Sequence, residues 1–293
     1  MMANGDAAGG DAAPEFYVRL MQALKARRLP FLIGGAYGFA HFTGIRRPTK
    51  DLDLFIRQRD WPRLVRAATA AGYHAEIAYP HWLGKVRGVG GLFADVIFNS
   101  GNGLSPVDDS WFDGAPPATV HGMPVRLVRI EESLWTKAFI MERERYDGAD
   151  VAHLIHAGAA HIDWARLLLR FGAHWRVLLA HLVLFGFVYP GERTRVPHWV
   201  MDELLERLRV EAETAPPRDA RCAGTLLSRE QYLPDVAHKG YEDARLAAGT
   251  MTTQDVAGWT AAIGAPPSDE PRDRRPSSKH RPARAARRSG RRP

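Results

Sequence analysis

The feature that most constrains this chain is the segment from Phe31 to Ile56, FLIGGAYGFAHFTGIRRPTKDLDLFI. It opens with three apolar residues typical of a buried strand, and two glycines, Gly34 and Gly35, follow before a helix predicted over Ala36–Phe42. A glycine turn at the start of a helix lets the backbone approach a ligand closely, and the free N–H groups there favour an anion such as a phosphate. The segment therefore predicts a strand, a turn suited to phosphate and a helix.

Two carboxylates follow on a strand predicted over Lys50–Arg57. Alternation along a strand places Asp51 and Asp53 on one face, while the other face carries Leu52, Leu54 and Ile56. Carboxylates two residues apart repel each other and raise each other's pKa unless a cation lies between them. Oxygen ligands of this kind suit Mg²⁺ or Mn²⁺, which share their coordination with substrate phosphates. Taken alone, an Asp-x-Asp strand is equally consistent with a solvated pair.

A third carboxylate strengthens the interpretation as a metal site. The apolar strand predicted from LFADVIFN contains Asp95 as its only charged residue. Two divalent ions about 3.5 to 4 Å apart hold the attacking and leaving oxygens of an in-line phosphoryl displacement. Asp51 and Asp53 would then bridge the metals. Asp95 would complete the metal site nearer the acceptor hydroxyl and help to deprotonate it, and Gly34 and Gly35 would cradle the triphosphate.

These motifs, in this order, resemble the nucleotidyltransferases of the polymerase-β superfamily, and within it bacterial proteins of the abortive-infection and minimal nucleotidyltransferase type. The shared pattern is a double glycine, a basic residue and Ser or Thr before Asp-x-Asp, and a later Asp on a strand, here Gly34, Gly35, Thr49, Lys50, Asp51, Asp53 and Asp95. The sequence IEESLWTKA, with Lys137, and the following ERYDGADVAHL are similar to the lysine-bearing helix and the next, Asp-rich helix of the superfamily. The resemblance covers about half of the chain, to near residue 160.

The resemblance implies an α+β fold: a polymerase-β-like core, with a mixed β-sheet and flanking helices, followed by a helical C-terminal half. It implies two Mg²⁺ (or Mn²⁺) ions and transfer of a nucleoside monophosphate from an NTP to a hydroxyl acceptor, with release of pyrophosphate. The implied catalytic and metal-binding residues are Asp51, Asp53 and Asp95, and the implied nucleotide-binding residues are Gly34, Gly35, Thr49, Lys50 and Lys137.

The acceptor stays open between RNA, protein and a small molecule. Acceptors in the superfamily include tRNA ends, proteins and aminoglycoside-type antibiotics. The Arg-Arg-Asp type of motif by which tRNA-end-adding members choose the nucleotide is not apparent in this sequence, which weakens that interpretation. A different class of function is a noncatalytic nucleotide- or partner-binding module on the same fold, as one member of a toxin–antitoxin pair.

Several candidate residues have a plainer explanation. Thr49 either contacts phosphate or only ends the loop after Pro48, and Lys50 points away from Asp51 if the strand is already regular there. Lys137 lies near Trp135, where a lone lysine more often extends its charge to the surface than binds a ligand. Three histidines are interpreted as structural rather than as a zinc site, and three loop aspartates as turn and capping residues; these are His153, His156, His161, Asp108, Asp109 and Asp113.

The basic charge of the chain belongs to its C-terminal end. The formal charge is +7, and residues 266–293 hold ten basic and three acidic side chains, which leaves 30 of each sign in residues 1–265. The neutral part gives no support for a nucleic-acid partner, although the tail as an RNA anchor stays an alternative.

The single Cys222 predicts a reducing, cytoplasmic setting. The apolar window Val177–Tyr189 is too short to span a bilayer, so no membrane partner is expected.

We predict four regions from these patterns: a disordered N-terminus over residues 1–14, a catalytic domain over 15–125, a helical region packed on it over 126–264, and a disordered Arg/Pro-rich tail over 265–293. Helical spacing in the third region predicts five helices, at Ile130–Arg145, Asp147–Ala157, Asp163–Phe171, Trp175–Val188 and Pro197–Arg209.

Overall fold

A five-stranded mixed sheet forms the first part of the computed structural model, which describes residues 12–263. Its elements in chain order are α1 Ala12–Ala26, β1 Leu32–Ile33, α2 Gly35–Thr43, β2 Asp53–Phe55, α3 Trp61–Ala70, β3 His74–Tyr79, β4 Leu83–Arg87 and β5 Phe93–Ile97. The strand order in space is β1-β2-β5-β4-β3. β2 and β5 run parallel, and the other neighbours are antiparallel. The predicted mixed sheet is confirmed.

Two boundaries in this part differ from the predictions. Strand β2 begins at Asp53, so Lys50 and Asp51 lie in the bend before it and not on a regular strand. The bend is held from outside the sheet, because the hydroxyl of Tyr17 donates to the carbonyl oxygen of Lys50 at 3.1 Å. Helix α1 begins at Ala12, so the predicted disorder of residues 1–14 is wrong for the last three of them. Residues 1–11 and the Arg/Pro-rich tail lie outside the described residues.

A short hairpin after the sheet was not predicted. It pairs β6 Pro117–Val120 with β7 Met123–Arg126 through a two-residue turn. Both turn residues have positive φ, 48° at His121 and 76° at Gly122, which is the geometry of a type I′ hairpin turn. The hairpin ends beside β1, since the backbone N–H of Val128 donates to the carbonyl oxygen of Ile33.

The rest of the chain is mainly helical, as predicted. Its elements are α4 Ile130–Ala138, α5 Gly148–Gly158, α6 Trp164–Phe171, α7 Trp175–Val188, α8 His198–Glu213, β8 Arg221–Cys222, α9 Leu233–His238, β9 Glu242–Asp243, α10 Ala244–Ala247 and α11 Thr253–Ala261. The helix predicted to run to Arg145 ends at Ala138, because the chain turns away to make a tertiary bond from the N–H of Met141 to the carbonyl oxygen of Leu227.

Each face of the sheet packs against a different set of helices. The predicted apolar face of β2, Leu52, Leu54 and Ile56, is fully buried among side chains of α1 and α3. The opposite face contributes Leu32 and Phe55 to a second cluster that includes residues of α4 to α8. Burial of one such side chain contributes about 1.5–3 kcal/mol. Because side chains alternate along β2, Asp53 lies on the same face as Phe55, which is the face packed against the cluster that includes residues of α4 to α8.

Helices α6 and α7, joined by a 3-10 turn, form one 25-residue helical stretch, Trp164–Val188, with a mean hydropathy of 1.5 over its most apolar 18-residue window. By length and composition alone it is long and apolar enough to cross a membrane, so the length argument made from Val177–Tyr189 was wrong. Core helices of soluble proteins pass the same test. The inward residues of this stretch, such as Leu167, Phe171 and Phe185, pack in the helical core.

Candidate functional site

Three carboxylates lie close together where β2 begins beside β5. Asp53 is the first residue of β2 and is the register partner of Asp95 on the parallel strand β5. Asp51 lies in the bend just before β2. Each of these three residues offers a carboxylate oxygen that lies within 4.8 Å of the others. We call Asp51, Asp53 and Asp95 the acidic triad; it is the group of three potential metal-ligating side chains found among residues 12–263.

The double glycine makes room for this triad. Gly35 opens α2 with φ +53°, and a Cβ placed on it would overlap the Oδ2 atom of Asp53. A Cβ on Gly34 would overlap the ring of Phe55. The N-terminus of α2 therefore lies directly against the Asp53 carboxylate, and only glycine permits both the backbone conformation and the approach.

The negative charges of the acidic triad are not fully compensated by nearby cations. The pKa of Asp53 is raised to about 7, mainly by burial and then by the charges of Asp51 and Asp95, while the smaller effects of Lys137 and Arg145 act to lower it. Burial and nearby negative charge also raise the pKa of Tyr17 to about 12. A divalent cation would relieve this repulsion, and carboxylate oxygens are the ligands that Mg²⁺ and Mn²⁺ prefer. The residues present therefore fit such an ion.

Thr49 and Lys50 support the triad through their positions in the bend. The Thr49 hydroxyl lies 2.7 Å from Oδ1 of Asp51 and 3.2 Å from its carbonyl oxygen, so it orients that carboxylate. The side chain of Lys50 is exposed, while its carbonyl oxygen accepts from Tyr17. Thr49 therefore does not merely end the loop after Pro48, because its hydroxyl donates a hydrogen bond to Asp51. The nucleotide-binding roles of both residues stay predictions.

Lys137 is held in a separate group of charges that we call the ion-pair cluster: Lys137, Asp147, Asp150, Arg47 and Arg145. Lys137 donates to Asp147 at 2.9 Å and to Asp150 at 2.8 Å. Arg145 makes two 2.9 Å bonds to Asp147, and Arg47 lies 2.6 Å from Asp150. The cluster carries three cations for two anions and borders the triad, because Lys137 and Arg145 lower the pKa of Asp53. The lysine is partnered by acids and is not simply extended into solvent.

Sequence reasoning missed a buried cation beside the triad, Lys85. Lys85 on β4 is only 8% exposed, and its ammonium lies 3.0 Å from Oδ1 of Asp95. It also missed Tyr37, whose hydroxyl hydrogen-bonds to Nε2 of His121 at 2.8 Å and whose pKa is raised by burial and then by Asp51 and Asp53. A signal for Lys85 was present, since it is a charged residue inside an apolar strand, as Asp95 is.

Two of the histidines make ring contacts, and two of the loop aspartates make a capping bond or ion pairs. His153 has a T-shaped ring contact with Phe39, and His156 stacks at an angle on Tyr189. Asp108 accepts from the N–H of Ser110, a capping bond of the predicted kind. Asp109 pairs with Arg57 and Arg59.

No family model matches the sequence, and no curated protein matches it. Three of the similar solved structures are the antibiotic-resistance factor ANT(2'')-Ia (TM-score 0.39, 18% identity, 58% of this chain and 94% of that chain), the lincomycin-bound lincosamide antibiotic adenylyltransferase LnuA (TM-score 0.34, 13% identity, 49% and 95%) and JHP933 from Helicobacter pylori (TM-score 0.36, 12% identity, 69% and 97%). Similarity at this level carries no argument about activity.

Proposed function

We propose that this protein is a metal-dependent nucleotidyltransferase, which transfers a nucleoside monophosphate from an NTP to a hydroxyl acceptor and releases pyrophosphate. The observation that carries the proposal is the acidic triad, in which the register of two parallel strands brings Asp53 beside Asp95. The raised pKa of Asp53 supports it, because a buried carboxylate of this kind gains most from a bound cation.

Asp51, Asp53 and Asp95 would hold the divalent ions. When bound there, two such ions would offset the negative charge of the triad and of the triphosphate, and would bring the acceptor oxygen and the α-phosphate together. This use of metal is compatible with the formal neutrality of residues 1–265.

The protein residues have separate tasks in this proposal. The acceptor oxygen attacks the α-phosphorus, a P–O bond forms, the bond to the β-phosphate breaks, and pyrophosphate leaves with the electron pair. Asp95 accepts the proton of the acceptor hydroxyl. The N-terminus of α2 at Gly35 offers N–H groups to phosphate oxygens. Lys137 and Arg145, whose charges lower the pKa of Asp53, would offset negative charge on the leaving pyrophosphate.

Asparagine substitutions test this assignment. Purified protein is incubated with Mg²⁺, each of the four NTPs labelled at the α-phosphate, and candidate acceptors from cell extract, RNA and hydroxyl-bearing small molecules. We expect labelled product from the native chain and at least a thousandfold less from Asp51→Asn or Asp53→Asn, roughly 4 kcal/mol of lost stabilisation. Asp202→Asn, on an exposed position of α8, is the matched control. Turnover that survives both triad substitutions would refute the proposal.

The second candidate function is a noncatalytic nucleotide-binding module. A side chain of Asp95 turned away from Asp51 and Asp53 would favour this module. In the structure, carboxylate oxygens of the three residues lie within 4.8 Å of one another, so this feature does not favour it. The same assay separates the two functions, because NTP binding by the native chain with no labelled product in any acceptor pool would support the noncatalytic module.

A further inference from the structure

A row of charged side chains crosses the sheet beside the triad. In the register of the strands, Asp53 pairs with Asp95, Asp95 with Lys85, and Lys85 with Glu76. Register partners on neighbouring strands point to the same face of a sheet. All four side chains therefore lie on the face that carries the triad, and Lys85 is the one cation among them.

The contacts of Lys85 turn its charge toward Asp95. Its Nζ atom lies 3.0 Å from Oδ1 of Asp95 and 4.1 Å from the centre of the Phe93 ring. Its other neighbour in the row, Glu76, receives a 2.6 Å hydrogen bond from Nε of Arg87. The Lys85 side chain is 11% exposed, so water contributes little to its solvation.

A buried ion pair contributes little net stability, because removing both charges from water costs about as much as their attraction returns. Its larger effect is on geometry. Rotation of the Asp95 carboxylate would move Oδ1 away from the ammonium and weaken the ion pair, so the pair favours one orientation of both carboxylate oxygens.

We propose that Lys85 is a positioning residue, which holds the carboxylate of Asp95 in the orientation required for metal binding and for contact with the acceptor hydroxyl. The inference rests on the proposed nucleotidyltransferase function for its catalytic consequence. Its structural part, a coupling between Lys85 and metal binding through Asp95, is independent of turnover.

The first test is kinetic. Lys85→Met keeps the length and apolar stem of the side chain and removes the ammonium. We expect kcat to fall about 10- to 100-fold, the usual effect of removing a partner that orients a ligand, with the KM for NTP within about twofold of the native value. Lys85→Arg, which keeps the charge and the donors, should recover part of the loss. Lys239→Met removes an exposed lysine paired with Asp235 and is the matched control. An unchanged kcat in Lys85→Met would overturn the proposal.

The second test does not require activity. Mn²⁺ binding to the full chain is titrated by electron paramagnetic resonance in native protein, Lys85→Met, Asp95→Asn and the double variant. We expect Lys85→Met to weaken Mn²⁺ binding about tenfold in the native background and by less than twofold when Asp95 is already Asn. Tighter binding in Lys85→Met would mean that the ammonium competes with the metal, and equal effects in both backgrounds would mean that Lys85 acts elsewhere. Either result overturns the proposal.

Folding and function are kept apart in this design. If Lys85→Met alone does not fold, Lys85→Arg and the double variant, in which no carboxylate is left without its cation, still report the coupling. If the native chain gives no turnover with any NTP, the proposed function fails, while the Mn²⁺ cycle still decides the role of Lys85.

Discussion

The acidic triad and the ion-pair cluster lie side by side, and aspartate carboxylates in the two groups have pKa values shifted in opposite directions. Burial and two neighbouring acids raise the pKa of Asp53 to about 7. Burial also acts to raise the pKa of Asp147, but hydrogen bonds from Arg145 and Lys137 outweigh it and lower the pKa. The carboxylates of the ion-pair cluster are already paired with lysine and arginine side chains, so they do not need a bound cation. The carboxylates of the acidic triad lack enough compensating charge, which makes the triad, and not the ion-pair cluster, the candidate metal site.

After the substitutions of the triad itself, the largest expected effect comes from filling the space between α2 and the triad. Gly35→Ala should abolish measurable Mn²⁺ binding and lower activity more than about a hundredfold, because its Cβ would occupy the position of Oδ2 of Asp53. Gly44→Ala is the control, since Gly44 also has a positive φ, +73°, but an added Cβ meets no atom within 4 Å. Both should lose stability by about 1 kcal/mol or more from the backbone alone, measured by thermal melting. Equal metal binding in the two variants would contradict the close fit at Gly35.

The next effect is a pH dependence that only the triad should show. Because the pKa of Asp53 is raised from 3.8 to about 7, the metal-free folded protein retains a proton between those pH values that the unfolded chain has lost. Its stability therefore falls as pH rises through that window, and Mn²⁺, which must displace the proton, should bind about tenfold more tightly per pH unit from pH 5 to 7 and level off above. Asp53→Asn should flatten the profile. A flat profile in the native chain would refute the raised pKa.

Asp147 should behave in the opposite sense. Its pKa is lowered, so its contribution to stability is present above the pKa of the unfolded chain and is lost only as pH falls below it. Melting temperatures of Asp53→Asn and Asp147→Asn between about pH 2 and pH 8 separate the two regions. The difference in stability between Asp147→Asn and the native chain should be constant at neutral pH and should shrink only as pH falls below the ordinary Asp pKa of 3.8.

A smaller effect is expected from opening the ion-pair cluster. Lys137→Met removes two charged hydrogen bonds, to Asp147 and Asp150, and should destabilise the fold by about 2 kcal/mol. If Lys137 also contacts the triphosphate, the KM for NTP should rise roughly 30-fold, the equivalent of about 2 kcal/mol. Nucleotide binding measured by calorimetry, with Lys239→Met as control, separates these results. A loss of stability with unchanged NTP affinity would restrict Lys137 to a structural role.

The smallest effect should come from the bend before β2. Thr49→Val keeps the shape of the side chain and removes the 2.7 Å bond to Oδ1 of Asp51. We expect Mn²⁺ affinity to fall by less than about tenfold, with thermal stability nearly unchanged. Thr43→Val, which removes a comparable 2.7 Å hydroxyl bond to the carbonyl oxygen of Phe39, is the control and should leave Mn²⁺ affinity unchanged. Identical metal binding in both variants would show that Thr49 does not orient Asp51.

Much of the fold follows from local pattern. Apolar alternation predicted that Leu52, Leu54 and Ile56 share a buried face, and all three are fully buried. The turn residues His121 and Gly122 encode the hairpin just as locally, although sequence reasoning did not use them. Boundaries were less predictable, because tertiary bonds set them. The hydroxyl of Tyr17 on α1 holds the bend at Lys50, and a carbonyl oxygen far along the chain, at Leu227, ends the helix that carries Lys137.

The sequence by itself indicated the elements of the candidate site: a glycine turn, two acids two residues apart, which it placed on one strand, and a third acid in an apolar strand. It indicated them because side-chain alternation and glycine conformation act over a few residues. Only the tertiary structure decided which charges meet. The pairing of Asp53 with Asp95, of Asp95 with Lys85, and of Lys137 with Asp147 depends on strand register and helix packing between residues distant in the chain. Charge interactions depend on distance in space, and local pattern does not contain that distance.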